Sequence, residues 1–101
     1  MINVTEEVII KISNFYKALS DSSRLKIIVS LLDENGLCVS NIVEKVGMTQ
    51  TAVSNQLKSL KDVNLVKSER KGKNIIYKIN DDHVRDILTL TMTHMEEDYE
   101  D

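Results

Sequence analysis

A chain of 101 residues with 42% hydrophobic and 29% charged residues holds one domain with one modest core, and disorder is excluded as its default state. Aromatic residues make up only 4%, and Trp and Pro are absent, so the core must be built from Ile, Leu, Val and Met, which favours helices. The single Cys38 excludes an internal disulfide and any CxxC metal or redox motif. No apolar run approaches the roughly 18 residues of a membrane span, and the start, MINVTEEVII, lacks a basic segment followed by an apolar one, so a cytoplasmic location without membrane partners is expected. The net charge of −3 conceals an asymmetry. Residues 57–78 hold seven Lys/Arg against two acids, whereas residues 79–101 hold eight acids against Arg85. A basic block beside an acidic one suits a nucleic-acid contact next to a cation-attracting segment.

Along the chain, Val8, Ile9, Ile12, Phe15, Tyr16 and Leu19 recur at helical spacing and predict a first amphipathic helix over 5–18. Ser20-Asp21-Ser22 supplies N-cap chemistry for a second, marked by Leu25, Ile27, Ile28, Leu31 and Leu32 and ended by Asn35-Gly36. A short third helix runs from Val39 to Val46, with Ile42, Val43 and Val46 inward, and stops at Gly47. Thr49 caps a fourth that reaches about Val63, with Val53, Leu57 and Leu60 as its apolar stripe. Leu65–Arg70 and Asn74–Ile79 are β-prone and flank Lys71-Gly72-Lys73, which reads as a hairpin with a basic tip. Asn80-Asp81-Asp82 opens a last helix with Val84, Ile87, Leu88, Thr91, Met92 and Met95 on one face, followed by an acidic tail expected to fray from Glu96 onward.

The order is mainly α with a small β-hairpin: four helices, a hairpin and a C-terminal helix in a single domain over 1–101. The third and fourth helices, joined by a tight turn at Gly47, form a helix-turn-helix, and the hairpin behind them makes it a winged one. Base reading needs polar side chains on the first turns of the second helix of that pair, where Gln50, Thr51, Ser54 and Asn55 stand. Lys58 and Lys61 come next, where that helix passes phosphates, and Arg70, Lys71 and Lys73 cluster at the hairpin tip, suited to backbone or minor-groove contact. Double-stranded DNA is the expected partner. The plain structural reading of the same residues is a capped helix with a solvated polar face.

Both histidines of the chain lie near its end, among acids: Asp81, His83, His94 and Glu97. On one helix His83 and His94 are separated by roughly 16.5 Å at ~1.5 Å per residue, yet lie within about 20° of one face. One ion with ligand bonds of about 2.0 Å cannot span that gap. The helix therefore carries two half-sites, Asp81/His83 and His94/Glu97, which two antiparallel copies across a two-fold axis would join into complete N₂O₂ sites. Imidazole and carboxylate without thiolate favour Zn(II), with Co(II) as a tetrahedral mimic, and a homodimer is implied. Taken singly each residue has a plainer role: Asp81 or Asp82 as helix cap, the histidines on the surface, Glu97 as one acid among several. No Ser/His/Asp or Cys/His constellation and no Gly-rich phosphate loop is present, so an enzyme is not expected.

The stretches FYKALSDSSRLKIIVSLL, GLCVSNIVEKVGMTQTAVSNQLKSLKDVNLVKSERKGKNIIYKIND and DDHVRDILTLTMTHMEE resemble the ArsR/SmtB family of small dimeric winged-helix repressors that sense metals. The resemblance implies that the helix beginning after Thr49 reads DNA, that the first and last helices form the dimer interface, and that an inducer releases the operator. The last-helix pattern D-x-H…H-x-x-H/E of the zinc- and cobalt-sensing branch is matched by Asp81, His83, His94 and Glu97. Other branches carry a C-x-C pair in the third helix. Here GLCVSNI has Ser40 in the second position, which leaves Cys38 as a buried small apolar residue. The alternative within the family is a repressor whose last-helix site is vestigial and whose inducer is different or absent.

Overall fold

The computed structural model describes residues 3–32 and 35–97. Its elements are α1 (Glu6–Leu19), α2 (Ser22–Ser30), α3 (Val39–Val46), α4 (Gln50–Asp62), β1 (Val66–Lys71), β2 (Asn74–Ile79) and α5 (Asp82–Glu97). Each helix starts where the sequence offers a side-chain acceptor for an unpaired N–H. Thr5 Oγ1 accepts from the Val8 N–H at 3.2 Å, Asp21 Oδ2 from Arg24 at 2.9 Å, Thr49 Oγ1 from Ala52 at 3.1 Å and Asp81 Oδ1 from Val84 at 3.0 Å. The exception is α3, whose N-cap Cys38 makes no such bond.

Two helix ends set the geometry of the reading unit. Gly47 stops α3 in the left-handed conformation, at φ 70°, and turns the chain into α4. Asn64, at φ 59°, ends α4 in the same way. The Leu65 N–H reaches the Leu60 carbonyl at 3.0 Å and the Asn64 N–H reaches Lys61 at 3.1 Å, the bond pair of a Schellman motif, with Leu60 and Leu65 both fully buried beneath it. β1 then leaves α4 in a fixed direction and pairs antiparallel with β2, from Val66↔Ile79 to Lys71↔Asn74. The loop is therefore the two residues Gly72-Lys73, one shorter than the sequence suggests, with Gly72 at φ 64° as the first position of a II′-type turn demands.

The core is a single cluster. Ile27 and Ile28 from α2, Leu31 just past its end, Ile42 from α3, and Val53, Leu57 and Leu60 from α4 are fully buried, with Leu37, Leu65, Val66, Ile79, Val84 and Leu88 completing it. Burying each such side chain contributes about 1.5–3 kcal/mol before the entropy of ordering is subtracted.

The structure departs from the sequence reading in the segment after α2. The helix stops at Ser30, not at Asn35-Gly36, because Leu31 and Leu32 tighten into i→i−3 bonds to Ile28 and Val29. Gly36 is not a helix cap. It holds φ 125° and lies so close to the hairpin that a Cβ there would stand 2.3 Å from Ile76 Cγ2. That approach lets Leu37 and Tyr77 exchange both backbone bonds, at 3.0 and 2.8 Å, as an isolated antiparallel bridge beside the wing. The chain ahead of α3 is thereby stitched to β2, a pairing that two residues of strand cannot advertise in a sequence.

The amphipathic stripes of α1 and α5 are only partly used. Phe15, Ala18 and Leu19 pack half-buried against the core, while Ile9, Ile10, Ile12 and Tyr16 are exposed. In α5, Val84 and Leu88 are buried, but Met92 and Met95 from the expected inner face are about half exposed and Leu90 is 72% exposed. The acidic tail expected to fray lies in part outside the described residues, and its first two members, Glu96 and Glu97, close α5 as helix.

Gly36→Ala is expected to lower unfolding free energy by about 1–3 kcal/mol, because the new methyl meets Ile76 and the backbone must hold a strained φ. Gly72→Ala should lose less, since nothing lies within 4 Å of the added atom. Urea unfolding at one fixed protein concentration measures both.

Candidate nucleic-acid interface and metal half-sites

The apolar stripe of α4 decides which of its side chains face solvent. With Val53, Leu57 and Leu60 turned into the core, Gln50, Thr51, Ser54, Asn55 and Lys58 are all exposed. These positions repeat at i, i+1, i+4, i+5 and i+8, one continuous strip on the face away from α2 and α3. The strip offers amide and hydroxyl groups able to donate and accept on base edges, and ends on a cation.

The wing, which follows the end of α4, adds basic groups. Arg70, Lys71 and Lys73 are exposed at its tip. Glu69 pairs with two of the wing's lysines: Lys78 Nζ lies 2.9 Å and Lys71 Nζ 3.5 Å from Glu69 Oε1. The hydrogen bond and charge of Lys78, with a smaller part from Lys71, hold the Glu69 carboxyl below its ordinary value. Lys61, read from the sequence as a phosphate contact, donates to Ser68 Oγ at 2.7 Å and so ties the last turn of α4 to β1. Neither Glu69 nor Ser68 was singled out by sequence reasoning. Their roles arise from the register of a hairpin and from a contact across the α4–β1 turn.

Asp81, His83, His94 and Glu97 fall on α5 as two separated pairs. Asp81 caps the helix. Its Oδ1 accepts from Val84, its Oδ2 from Asn80 Nδ2 at 3.1 Å, and its Oδ1 stands 3.6 Å from His83 Nδ1. The His83 side chain is 93% exposed. At the other end His94 and Glu97, with Leu90, Thr91 and Thr93, line a shallow depression. α5 runs unbroken between the pairs, and among the described residues no three His, Cys, Asp or Glu side chains converge to hold an ion within one chain. The donor set suits a borderline cation, since two imidazoles and two carboxylates would supply four ligands.

The Asp81 carboxyl is held below the ordinary aspartate value by the Val84 N–H above all, then by Asn80 and the charge of His83.

Cys38 corrects the sequence reading. It is half-buried at the start of α3, not packed as an apolar residue, with its Sγ 3.1 Å from Ser40 Oγ and its thiol donating to Asn41 Oδ1 at 2.8 Å. The Ser40 hydroxyl above all, then the Asn41 backbone N–H, draw its pKa below that of an ordinary thiol. The misreading has a simple source: Cys38 lies one residue before the first helical turn, so the inward stripe that begins at Val39 does not include it.

Comparison with known proteins agrees with this geometry. The family described as bacterial regulatory proteins of the arsR family matches residues 21–68, from the α2 cap to the first half of the wing. The cadmium resistance transcriptional regulatory protein CadC of Listeria innocua is 35% identical over 86 residues, covering 85% of this chain and 72% of that protein. The chain belongs to the arsR family. A transcriptional repressor, the SmtB homolog of Synechocystis sp., is 34% identical over 87 residues, 86% of this chain and 65% of its own length. Among solved structures, the homodimeric winged helix-turn-helix DNA-binding domain of Mb0332 from Mycobacterium bovis superposes with a TM-score of 0.88 at 26% identity, covering 99% of this chain and 94% of that one. This arsR-family chain thus has the winged helix-turn-helix fold of that domain, and its relatives are transcriptional regulators, not enzymes. Among the described residues no helix is long and apolar enough to cross a membrane.

The depressed Asp81 carboxyl gives a signed pH dependence. A group whose pKa is lower folded than unfolded stabilises the protein above its unfolded value, about 3.9 for Asp, and that contribution disappears as pH falls through the folded value. Asp81→Asn keeps an acceptor oxygen but removes the charge. It is expected to be less stable than the parent at pH 7, with the difference closing as pH falls below about 4, measured by chemical denaturation at stepped pH.

Proposed function

We propose that this arsR-family protein is a homodimeric, zinc-responsive transcriptional repressor. The metal-free dimer holds operator DNA through α4 and the wing, and Zn(II) between the α5 helices releases it. The observation that carries the reading is the exposed polar strip Gln50, Thr51, Ser54, Asn55 and Lys58 on the second helix of a helix-turn-helix, followed by a wing with exposed Arg70, Lys71 and Lys73 at its tip. Family membership and a homodimeric winged-helix neighbour support the partner assignment. The half-exposed apolar sides of α1 and α5 are the surfaces a second copy would cover. A cytoplasmic location goes with operator DNA as the partner.

In the dimer, Asp81 and His83 of one protomer would meet His94 and Glu97 of the partner subunit, so that each zinc joins two chains and each dimer holds two. Co(II) would substitute as a spectroscopic mimic. The bound ion supplies a four-ligand cross-link between helices, and no bond-making chemistry. This chain contributes the rest. Asp81 arrives ionised and already fixed at the helix start by Val84 and Asn80, so its orientation costs little on binding. The rigid α5 keeps the two half-sites a set distance apart, so both sites close only in one dimer arrangement. Release of DNA requires that arrangement to differ from the one fitted to the operator, because a ligand with equal affinity for both states shifts nothing. By reciprocity DNA weakens zinc binding by the same factor, and tenfold in each direction needs only ~1.4 kcal/mol of coupling.

Fluorescence anisotropy of a duplex from upstream of the protein's own gene, first with EDTA and then with excess Zn(II), tests this reading. Tight binding in chelator and release with zinc are expected. His94→Ala should bind DNA within about twofold of the parent in chelator and fail to release it with zinc. Gln50→Ala with Ser54→Ala should weaken operator binding by about 10–100-fold and non-specific binding far less, whereas Arg70→Ala or Lys73→Ala should flatten the salt dependence. Equal binding with and without zinc would keep the DNA-reading fold and reduce the four residues to caps and surface charge.

A further inference from the structure

Arg24 and Gln56 belong to neither the reading strip nor the half-sites, yet they join elements that the proposed function needs to hold in register. Arg24 is the third residue of α2, its backbone N–H fixed by Asp21. Its part-buried guanidinium spreads in three directions. Nε donates to the Ala18 carbonyl at 2.8 Å and Nη2 to the Lys17 carbonyl at 3.4 Å, both in the last turn of α1. Nη1 donates to Gln56 Oε1 at 3.4 Å, on α4. One planar cation thus touches α1 and α4 from a position on α2.

The chemistry suits a clamp. Carbonyls of a helix's last turn carry the negative end of its dipole and favour a cation there. Guanidinium donors are fixed in a plane, so moving α1 relative to α4 breaks one side of the link, whereas a lysine could follow only one acceptor at a time. Gln56 stands half-buried between Asn55 of the reading strip and Leu57 of the core. A pull on its side chain therefore acts on the segment of α4 that carries Asn55 and Lys58.

We propose that Arg24 is a positioning residue: through Gln56 it sets the angle between α1, which carries part of the proposed dimer surface, and α4, which reads DNA. The angle fixes the tilt and separation of the two recognition helices in a dimer. Two helices must enter successive major grooves about one DNA turn apart, so an error in that angle spares binding to one half-site and penalises engagement of both. The inference rests on the operator-binding reading.

The test uses the full chain and a duplex enriched from random-sequence DNA by the parent protein, alongside a duplex holding one half of that sequence. Gln56→Leu keeps the size of the side chain and removes the acceptor; Arg24→Lys keeps the charge and removes the fork. Each is expected to raise Kd for the full duplex about tenfold while changing half-site binding less than about twofold, and the double variant should be no worse than the weaker single one, as for two ends of one link. Duplexes with the half-site spacing changed by one base pair should be distinguished sharply by the parent and poorly by either variant. A merely structural defect would lower melting temperature and weaken both duplexes alike. Equal losses on full and half-site duplexes, unchanged affinity for the full duplex, or additive losses in the double variant would each overturn the proposal. If the parent enriches no sequence, the operator reading fails and the proposal with it.

Discussion

Burial of the apolar stripe of α4 is the constraint on which the rest of the molecule depends. Val53, Leu57 and Leu60 are fully buried with Ile27, Ile28 and Ile42, and this one packing contact fixes the rotation of α4 about its own axis. A helix has no other means of choosing which side faces outward. Once those three side chains are inside, Thr51, Ser54, Asn55 and Lys58 fall on the outer side of α4, and Gln50 is exposed as its first residue. The reading face is the geometric remainder of the core.

The same stripe governs the chain beyond α4. Leu60, its last core residue, accepts the bond from Leu65 that turns the chain through Asn64, and the Leu65 carbonyl in turn accepts from the Asn80 N–H at 3.0 Å. Asn80 holds Asp81, which starts α5. The Arg85 guanidinium, one turn further along α5, donates to the Leu32 carbonyl beyond the end of α2. A short run of main-chain and cap bonds therefore connects the end of α4, the root of the wing and the first of the proposed metal half-sites.

Charge is divided along the same lines. The basic residues gather on α4 and the wing, where Glu69 and Ser68 hold some of them in place, and the acids gather on α5. A molecule of net charge −3 can thus present a cationic surface to a polyanion and an anionic one to cations. α1 and α5 also keep exposed apolar side chains, and the proposed second copy would turn two separated half-sites into whole ones.

The sequence by itself determined much of this. The bounds of α3, the Thr49 and Asp21 caps, the turn at Gly47, the apolar stripe of α4, the hairpin and the capped start of α5 are local chemistry, set by residues within four positions of one another. The candidate reading strip was legible for the same reason, because helical periodicity gives both the buried side and its opposite. Only the tertiary structure decided the early end of α2, the close passage of Gly36 past Ile76, the Leu37–Tyr77 bridge, the partly exposed Cys38, the engagement of Lys61 with Ser68 and the reach of Arg24 to Gln56. Those features join residues far apart in the chain or depend on the direction in which one element leaves another, and a linear pattern of residue types carries no record of direction.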